Sequence, residues 1–418
     1  MKIKILIIIL FSLILVLGCK SSDEEVIRIA VLGPMKNEAG IGIKNGAQLA
    51  ADRINSQNGV TITQNGQTKK YKIELVFVDD KLTDVGYASQ QLLEAIEKKG
   101  CRFIVGGYVS KVMMPLMDIM AAKKVIWYGT GGASTSIIKR IAANYERYKY
   151  YFRTGSLDTS LQGKTVAEIA IKKLLPRGLK KAAMISLDHA YARIVIEDAK
   201  KYMQAAGIEI VAEKYVSARE KNFSVFLKTA AAKASYIVCA FLTNETMPFV
   251  EQAAAMGLTK KMLIFGSIGP ANVDQFYQQT QGKAAYIMSL QGQGGPIDRV
   301  GNRNAEKFEI EYKKRYHIEP YWTSHPAFHS VWLVKTVIEK TGGQNPDNII
   351  QLMESDNFEF EGTYRLKWYK HNHDVYSGRH NGKMYGLIAW FQFFPDGKRY
   401  CVYPDEYQQR EMFIPGIR

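Results

Sequence analysis

Three groups of residues in this chain could do chemistry. The first is a pair of glycine-bearing stretches that each run from an apolar strand pattern into a helical one, VGGYVSKVMMP (105–115) and WYGTGGASTS (127–136). Where a loop enters a helix, the first N–H groups lack intrahelical partners and the positive end of the helix dipole faces outward. Such loops receive anions, and glycine lets the backbone come close. The second group is histidine. His325 and His329 stand four apart, as metal ligands on a helix would, but Pro326 lies between them and no H-E-x-x-H accompanies them. The stretch HNHDVYSGRH, with His371, His373, Asp374 and His380, is denser; it reads as a solvated loop, with adventitious metal binding as the alternative. The third is the opening IRIAVLGPMKNEAGIGIKNGAQLAADRIN (27–55), a strand, a glycine-rich loop and a helix. A dinucleotide site needs G-x-G-x-x-G directly after the strand, whereas Gly40, Gly42 and Gly46 begin roughly seven residues beyond Gly33, and no P-loop Lys-Ser/Thr pair follows. The loop is expected instead to line a cleft for another small ligand, with Ala39 to Gly42 near it. No G-x-S-x-G elbow is present and no acid, base and nucleophile converge on strand ends, so an enzyme is not expected.

Those stretches need a scaffold. Apolar strand patterns at 27–32, 73–78, 103–105 and 125–128 alternate with helical patterns at 46–55, 87–98 and 112–122. The alternation recurs, with strands at 182–186, 208–215, 236–240 and 263–265 and helices at 192–206, 223–232 and 246–256. Strands alternating with helices of this length mean βαβ units and parallel sheets, so the spacing predicts an α/β protein of two lobes. Ligands bind beyond the C-terminal ends of such strands. Segments 150–163 and 287–296 read as extended crossings, and 330–353 is helical again and must pack on the first lobe. The expected division is 27–152 plus 294–383 for lobe 1 and 156–288 plus 386–418 for lobe 2. The crossings fall near 150–157, 287–296 and 380–390 and make a hinge.

The segments GAQLAADRIN, FVDDKLTD, FRTGSLD with its later QG, VEQAAAMGL, FGSIGPAN and DGKRYCVYPDE with its later FIPG run through nearly the whole chain in order. In this they resemble the type I periplasmic binding proteins of the branched-chain amino acid, urea and amide group. The resemblance implies two Rossmann-like lobes on a three-strand hinge, a small ligand in the cleft, and delivery to the permease subunits of an ABC importer. It also implies a monomer with no cofactor. A ligand-sensing component that docks on a signalling receptor is the alternative. In that family a serine after the third strand grips a carboxylate, which implies Ser110, although the same hydroxyl could cap the helix from Lys111 onward. Gly131 and Ala133 match the next positions with the family threonine replaced by alanine, and Thr130, Ser134 or Thr135 could restore the hydroxyl. Lys111 and Lys36 either add positive potential there or are simply exposed. From lobe 2, Tyr191 would close over the ligand or else sit in the core. A second family tyrosine falls on Leu242, and the glutamate that pairs with a ligand ammonium falls on Ile268, so Glu245 could substitute only if its loop folds differently. A family aromatic at the opening loop is missing, which leaves room. The disulfide of some relatives is absent, its positions falling on Lys81 and Val109. Asp79 and Asp80 are expected to order a loop, and Arg153 to pair with a carboxylate. An apolar residue cannot neutralise a desolvated ammonium, so a carboxylate or amide with an apolar or aromatic body is expected rather than a free α-amino acid.

The ends and the composition set the compartment. Lys2 and Lys4 precede an uninterrupted apolar run at 5–17. As a helix that run is about 20 Å long, too short for a bilayer core of about 30 Å, so residues 1–18 are expected to be a signal peptide. The closing VLGC resembles a lipobox, which implies that Cys19 carries lipid on a short tether (19–26) and anchors the protein to a bacterial membrane, facing the periplasm or the cell exterior. A plain signal peptide with an incidental cysteine is the alternative. Without Lys2 and Lys4 the net charge is +14, with no block of five like charges. That diffuse positive surface favours anionic lipid or envelope polymers and does not mark a nucleic-acid site. Cys101, Cys239 and Cys401 are expected to be buried thiols.

Overall fold

The computed structural model describes residues 25–155, 158–242, 245–291, 303–386 and 388–417. Residues 1–18, read above as a signal peptide, Cys19 and most of the expected tether lie outside them. The first sheet is built from β1 (Val26–Gly33), α1 (Glu38–Ser56), β2 (Val60–Gln64), β3 (Gln67–Asp79), α2 (Val85–Glu97), β4 (Phe103–Gly106), α3 (Ser110–Lys123), β5 (Ile126–Gly129), α4 (Thr135–Ala143), α5 (Tyr145–Tyr148) and β6 (Tyr151–Arg153). The chain then forms α6 (Thr159–Ile169), β7 (Lys181–Leu187), α7 (Ala190–Ala205), β8 (Glu209–Val216), α8 (Ser224–Lys233), β9 (Tyr236–Phe241), α9 (Thr246–Ala255), β10 (Leu263–Ile268), α10 (Gln275–Gln279) and β11 (Met288–Gln291). It returns to the first lobe with α11 (Arg303–Tyr316), α12 (Ser324–Thr341), α13 (Pro346–Met353) and four short strands, β12 (Phe360–Glu361), β13 (Arg365–Leu366), β14 (Gly378–His380) and β15 (Lys383–Tyr385). It finishes in the second lobe with β16 (Ala389–Phe393) and β17 (Arg399–Tyr403).

Two large sheets result, of six strands in the order β2-β3-β1-β4-β5-β6 and of seven in the order β17-β16-β11-β10-β9-β7-β8, with β12-β13 and β14-β15 as separate two-stranded pairs. The central strands pair in parallel. Their edges do not follow the expected all-parallel pattern. β2 and β3 form an antiparallel hairpin across Asn65 and Gly66, both at positive φ, the turn chemistry an Asn-Gly pair supports. β16 runs antiparallel to both β11 and β17. The three passages between lobes fall partly at 156–157, 292–302 and 387, outside the described residues.

The opening glycines do something other than line a cleft. Asn37 accepts the Ala39 N–H at 2.8 Å and starts α1 at Glu38, whose charge suits the helix N-terminus, so Gly40, Gly42 and Gly46 lie within the helix. There they allow contact. A Cβ on Gly46 would sit 2.2 Å from the Ser324 carbonyl oxygen, and one on Gly42 would sit 2.6 Å from Thr323 Oγ1. The absent side chains let α12 lie directly on α1, so the returning segment completes the first lobe, where Val331, Val334 and Ile338 of α12 share a core with Ile29, Leu32, Ile43 and Phe103. Ala39 and Gly40 are both buried: the Ala39 carbonyl accepts the Thr323 hydroxyl at 2.7 Å, and Gly40 packs against the Pro34 backbone. The expected loop is therefore a helix–helix seam.

A Gly46→Ala variant tests the seam. Alanine gains about 1 kcal/mol of helix propensity, but overpacking against a rigid carbonyl costs about 1–3 kcal/mol. The expected outcome is a lower midpoint in urea unfolding with an unchanged slope.

Candidate functional site

The two anion-competent loops stand side by side at the C-terminal edge of the first sheet. Gly131 N–H donates to Gly107 O and Gly132 N–H to Tyr108 O, each at 2.8 Å, so the parallel ladder continues beyond the strands. Gly131 has to be glycine because a Cβ would sit 2.6 Å from Gly107 O. One step further, Ser134 N–H donates to Ser110 Oγ at 3.2 Å, which joins the start of α3 to the start of α4. Among the described residues, the N–H groups of Ser110, Lys111, Ala133 and Thr135 have no protein partner. Unclaimed donors at two adjoining helix N-termini have the chemistry to receive an anion.

The loop carbonyls are held from behind. The Arg153 guanidinium, wholly buried, donates to Gly132 O at 2.8 Å and Ser134 O at 3.4 Å, and its Nε meets Asp374 Oδ1 at 2.7 Å. Ala133 O accepts the Thr159 N–H at 3.0 Å, and Thr135 Oγ1 donates to Asp158 Oδ1 at 3.2 Å. With three successive carbonyls committed, the peptide planes from 132 to 134 are fixed.

The sequence candidates sort accordingly. α3 begins at Ser110 itself, behind a Val109 cap with no side-chain bond, so Ser110 is not the N-cap. Its Oγ accepts from Ser134 and its own proton remains to be given. Thr130 does not reach the cleft; it is fully buried and its hydroxyl donates to Gly107 O at 3.3 Å. Gly131 has its N–H engaged, so it is a spacer rather than a donor. Ala133 contributes backbone, and Ser134 caps α4 through the Ser136 N–H at 3.2 Å. Lys111 and Lys36 are exposed. Asp79 Oδ1 accepts the N–H groups of Met35 and Lys81, and Asp80 Oδ1 that of Leu82, so both order the turn after β3.

In lobe 2, Tyr191 opens α7 and is half-buried, with its hydroxyl donating to Gln162 and lying 3.0 Å from Ser267 Oγ. Burial is the main force that pushes its phenol up to about 12, and the Tyr108 phenol of lobe 1 is near enough to add to the rise. Ile268 was expected at the ligand and is instead 1% exposed, packed in the core with Phe241, Phe249 and Phe276. Strand period explains it: along β10, Leu263 and Phe265 face one side, Ile264 and Ile268 the other, and Ser267 points toward Tyr191. Leu242 is half-buried, and its N–H donates to Glu245 Oε1 at 2.7 Å. Glu245, fully buried, thus holds its own loop; the intervening residues 243–244 lie outside the described residues.

Three aromatics at the cleft escaped the sequence reading. Tyr108 precedes Ser110 by two residues, and Tyr321 and Trp322 precede α12, with both tyrosine–tryptophan ring pairs at 6.1 Å. Tyr321 lies over Gly42, so the space expected to be left open by a missing aromatic is filled from another part of the chain. Adjacency to the glycine pair could have pointed to Tyr108; nothing local marks EPYWTS.

The histidines are structural. His325 Nε2 is 3.6 Å from Glu309 Oε1, its ring against Phe308. His329 Nε2 donates to Thr154 O at 3.3 Å while Nδ1 pairs with Thr363 Oγ1 at 3.2 Å. The expected solvated loop is largely a buried staple: His373 donates to Tyr151 O at 2.9 Å, meets Glu354 at 2.7 Å and stacks on Phe152, while Asp374 holds Arg153. His371 is exposed and His380 bonds to Ser377 O. No group of three potential metal ligands occurs among the described residues. Cys101, Cys239 and Cys401 are free, buried thiols that burial pushes above their ordinary pKa.

Burial depresses the His329 imidazole from 6.5 to about 3. Its neutral form belongs to the folded state, so the stability it contributes is complete above pH 6.5 and is lost as pH falls from there toward about 3. The expected slope is up to about 1.4 kcal/mol per pH unit. Denaturant titrations at stepped pH should show that slope shrink in His329→Gln.

A sequence profile described as periplasmic binding protein matches residues 26–385. The chain is 22% identical over 352 residues to the leucine-, isoleucine-, valine-, threonine- and alanine-binding protein of Pseudomonas aeruginosa, covering 81% of this chain and 85% of that one. The LivJ branched-chain amino acid transporter substrate-binding protein of Streptococcus pneumoniae, solved with isoleucine, superposes with a TM-score of 0.72 at 22% identity over 91% of this chain and 100% of that one. An ABC-transporter solute-binding protein of R. palustris, solved with benzoate, gives 0.68 at 17% identity over 92% and 99%.

Proposed function

We infer the function from one premise: the chain belongs to the periplasmic binding protein family. It captures a small solute between its lobes and presents it to the permease of an ABC importer of the branched-chain amino acid type. The passages between lobes act as a hinge. A ligand that touches both lobes stabilises the closed state by its differential affinity for that state. The protein works outside the cytoplasm, tethered by lipid on Cys19. Among the described residues no helix is long and apolar enough to cross a membrane.

The observation that carries the ligand assignment is the meeting of α3 and α4, where four unclaimed N–H groups and the Ser110 hydroxyl converge. We assign the ligand's carboxylate to this end, with Ser110, Lys111, Ala133 and Ser134 around it and Tyr191 closing from lobe 2. Among the described residues, the two positions that the family pattern marks for an ammonium offer it no free carboxylate. Glu245 is engaged by the Leu242 N–H, and Ile268 faces the core. Structural relatives hold isoleucine in one case and benzoate in another, so the side chains of this cleft must decide.

Losing a charge-assisted contact costs roughly 1.5–3 kcal/mol, about ten- to a hundredfold in affinity. Calorimetry is expected to show 4-methylvalerate, the des-amino counterpart of leucine, binding at least tenfold tighter than leucine itself. Submicromolar leucine affinity overturns the assignment. Ser110→Ala should weaken the carboxylate by about 1–3 kcal/mol with little change in unliganded melting temperature.

Anchoring is tested separately by fractionation. The full chain should sediment with membranes, and a Cys19→Ser variant should become soluble or stay unprocessed. Identical behaviour of the two removes the lipid tether.

A further inference from the structure

The far side of the cleft is walled by rings. Tyr108, Tyr321 and Trp322 come from lobe 1 and Tyr191 from lobe 2, and all four are half-buried rather than packed away. Tyr108 and Tyr321 each lie 6.1 Å from Trp322, tilted at 44° and 40°. The wall starts at the anion end, since the Tyr108 carbonyl takes the Gly132 N–H and Tyr108 lies two residues before Ser110. From lobe 2, Tyr191 stands at the start of α7, within electrostatic reach of Tyr108. The Tyr191 hydroxyl is already engaged by Gln162 and Ser267, so this residue offers the cleft its ring rather than its oxygen.

We propose that the ligand is an aromatic monocarboxylate, its carboxylate at the starts of α3 and α4 and its ring among Tyr108, Tyr321, Trp322 and Tyr191. This rests on the carboxylate assignment above and adds the body of the molecule to it. A ring gains from ring walls what a saturated body of the same size does not: edge-to-face and offset contacts beyond area burial, roughly a few-fold in affinity for each pair. Ring faces also attract cations, and Glu38 is near enough to raise the phenols of Tyr108 and Tyr321. Glu38 is exposed, however, so its field is screened by water and it is no partner for a desolvated cation.

The test is a calorimetric comparison of benzoate and phenylacetate with cyclohexanecarboxylate, 4-methylvalerate, glycine betaine and leucine on the mature wild-type chain. The aromatic acids should bind at least tenfold tighter than cyclohexanecarboxylate, a comparison that needs no variant. Trp322→Leu and Tyr108→Leu should each weaken the better aromatic acid by about tenfold and cyclohexanecarboxylate by less than threefold. Equal affinity for the aromatic and saturated acids overturns the ring proposal while leaving the carboxylate assignment standing. Glycine betaine binding tighter than either aromatic acid also overturns it, in favour of a cation cage. Leucine binding tighter than every acid, or no acid binding at all, overturns both.

Discussion

Everything at the cleft depends on one buried cation. Arg153 lies at the last position of β6, where the chain is about to leave the first lobe, and its guanidinium joins two parts of the structure. It holds two carbonyls of the loop after β5 and the carboxylate of Asp374, which belongs to the segment returning from the second lobe. A guanidinium suits this role because its planar fork of donors can serve several acceptors at fixed angles. Removing one partner of a buried pair typically costs 3–5 kcal/mol, since the other charge is left unpaired in a low dielectric. The loop that carries the unpartnered N–H groups is thus held by contacts made through its carbonyls.

The surroundings of Arg153 extend the same logic. Trp368 Nε1 donates to the Arg153 carbonyl at 2.6 Å, and the Tyr364 hydroxyl donates to Thr154 O at 2.6 Å. His329 reaches the same Thr154 oxygen, and Thr154 Oγ1 lies 2.8 Å from Ser330 Oγ. The backbone at the edge of the first passage is therefore held by side chains from α12 and from the segment beyond α13. Along with the direct contact of α1 and α12, this makes the first lobe a composite of two distant stretches of sequence.

Much of the fold was legible because its signal is local and repeated. Apolar runs of strand length between amphipathic helices announced two βαβ lobes, and their order marked the loops after β4 and β5 as those that meet at the edge of the first sheet. What was not legible depended on contacts far apart in sequence. Gly42 and Gly46 look like a loop until Thr323 and Ser324 are seen against them. Ile268 and Ser267 are neighbours in sequence, so a one-residue difference of register exchanges core for cleft. Tyr321 and Trp322 lie in a connection with no periodicity to read. The histidine-rich stretch near 373 looks solvated because polarity was the only cue, while its burial comes from Phe152, Tyr151 and Glu354.

The pairing of Arg153 with Asp374, and of β11 with β16, sets an order of completion along the chain. A ribosome releases residues 25–155 long before 374, so the first sheet emerges with its arginine uncompensated and with the face meant for α12 bare. The second sheet waits equally for β16 and β17 to cover β11. Neither half can reach its finished form as an early product: the first lobe needs the returning segment that ends at Tyr385, and the second needs β16 and β17. Truncation before residue 374 would leave both lobes incomplete, and truncation before 389 would leave the second without its closing strands.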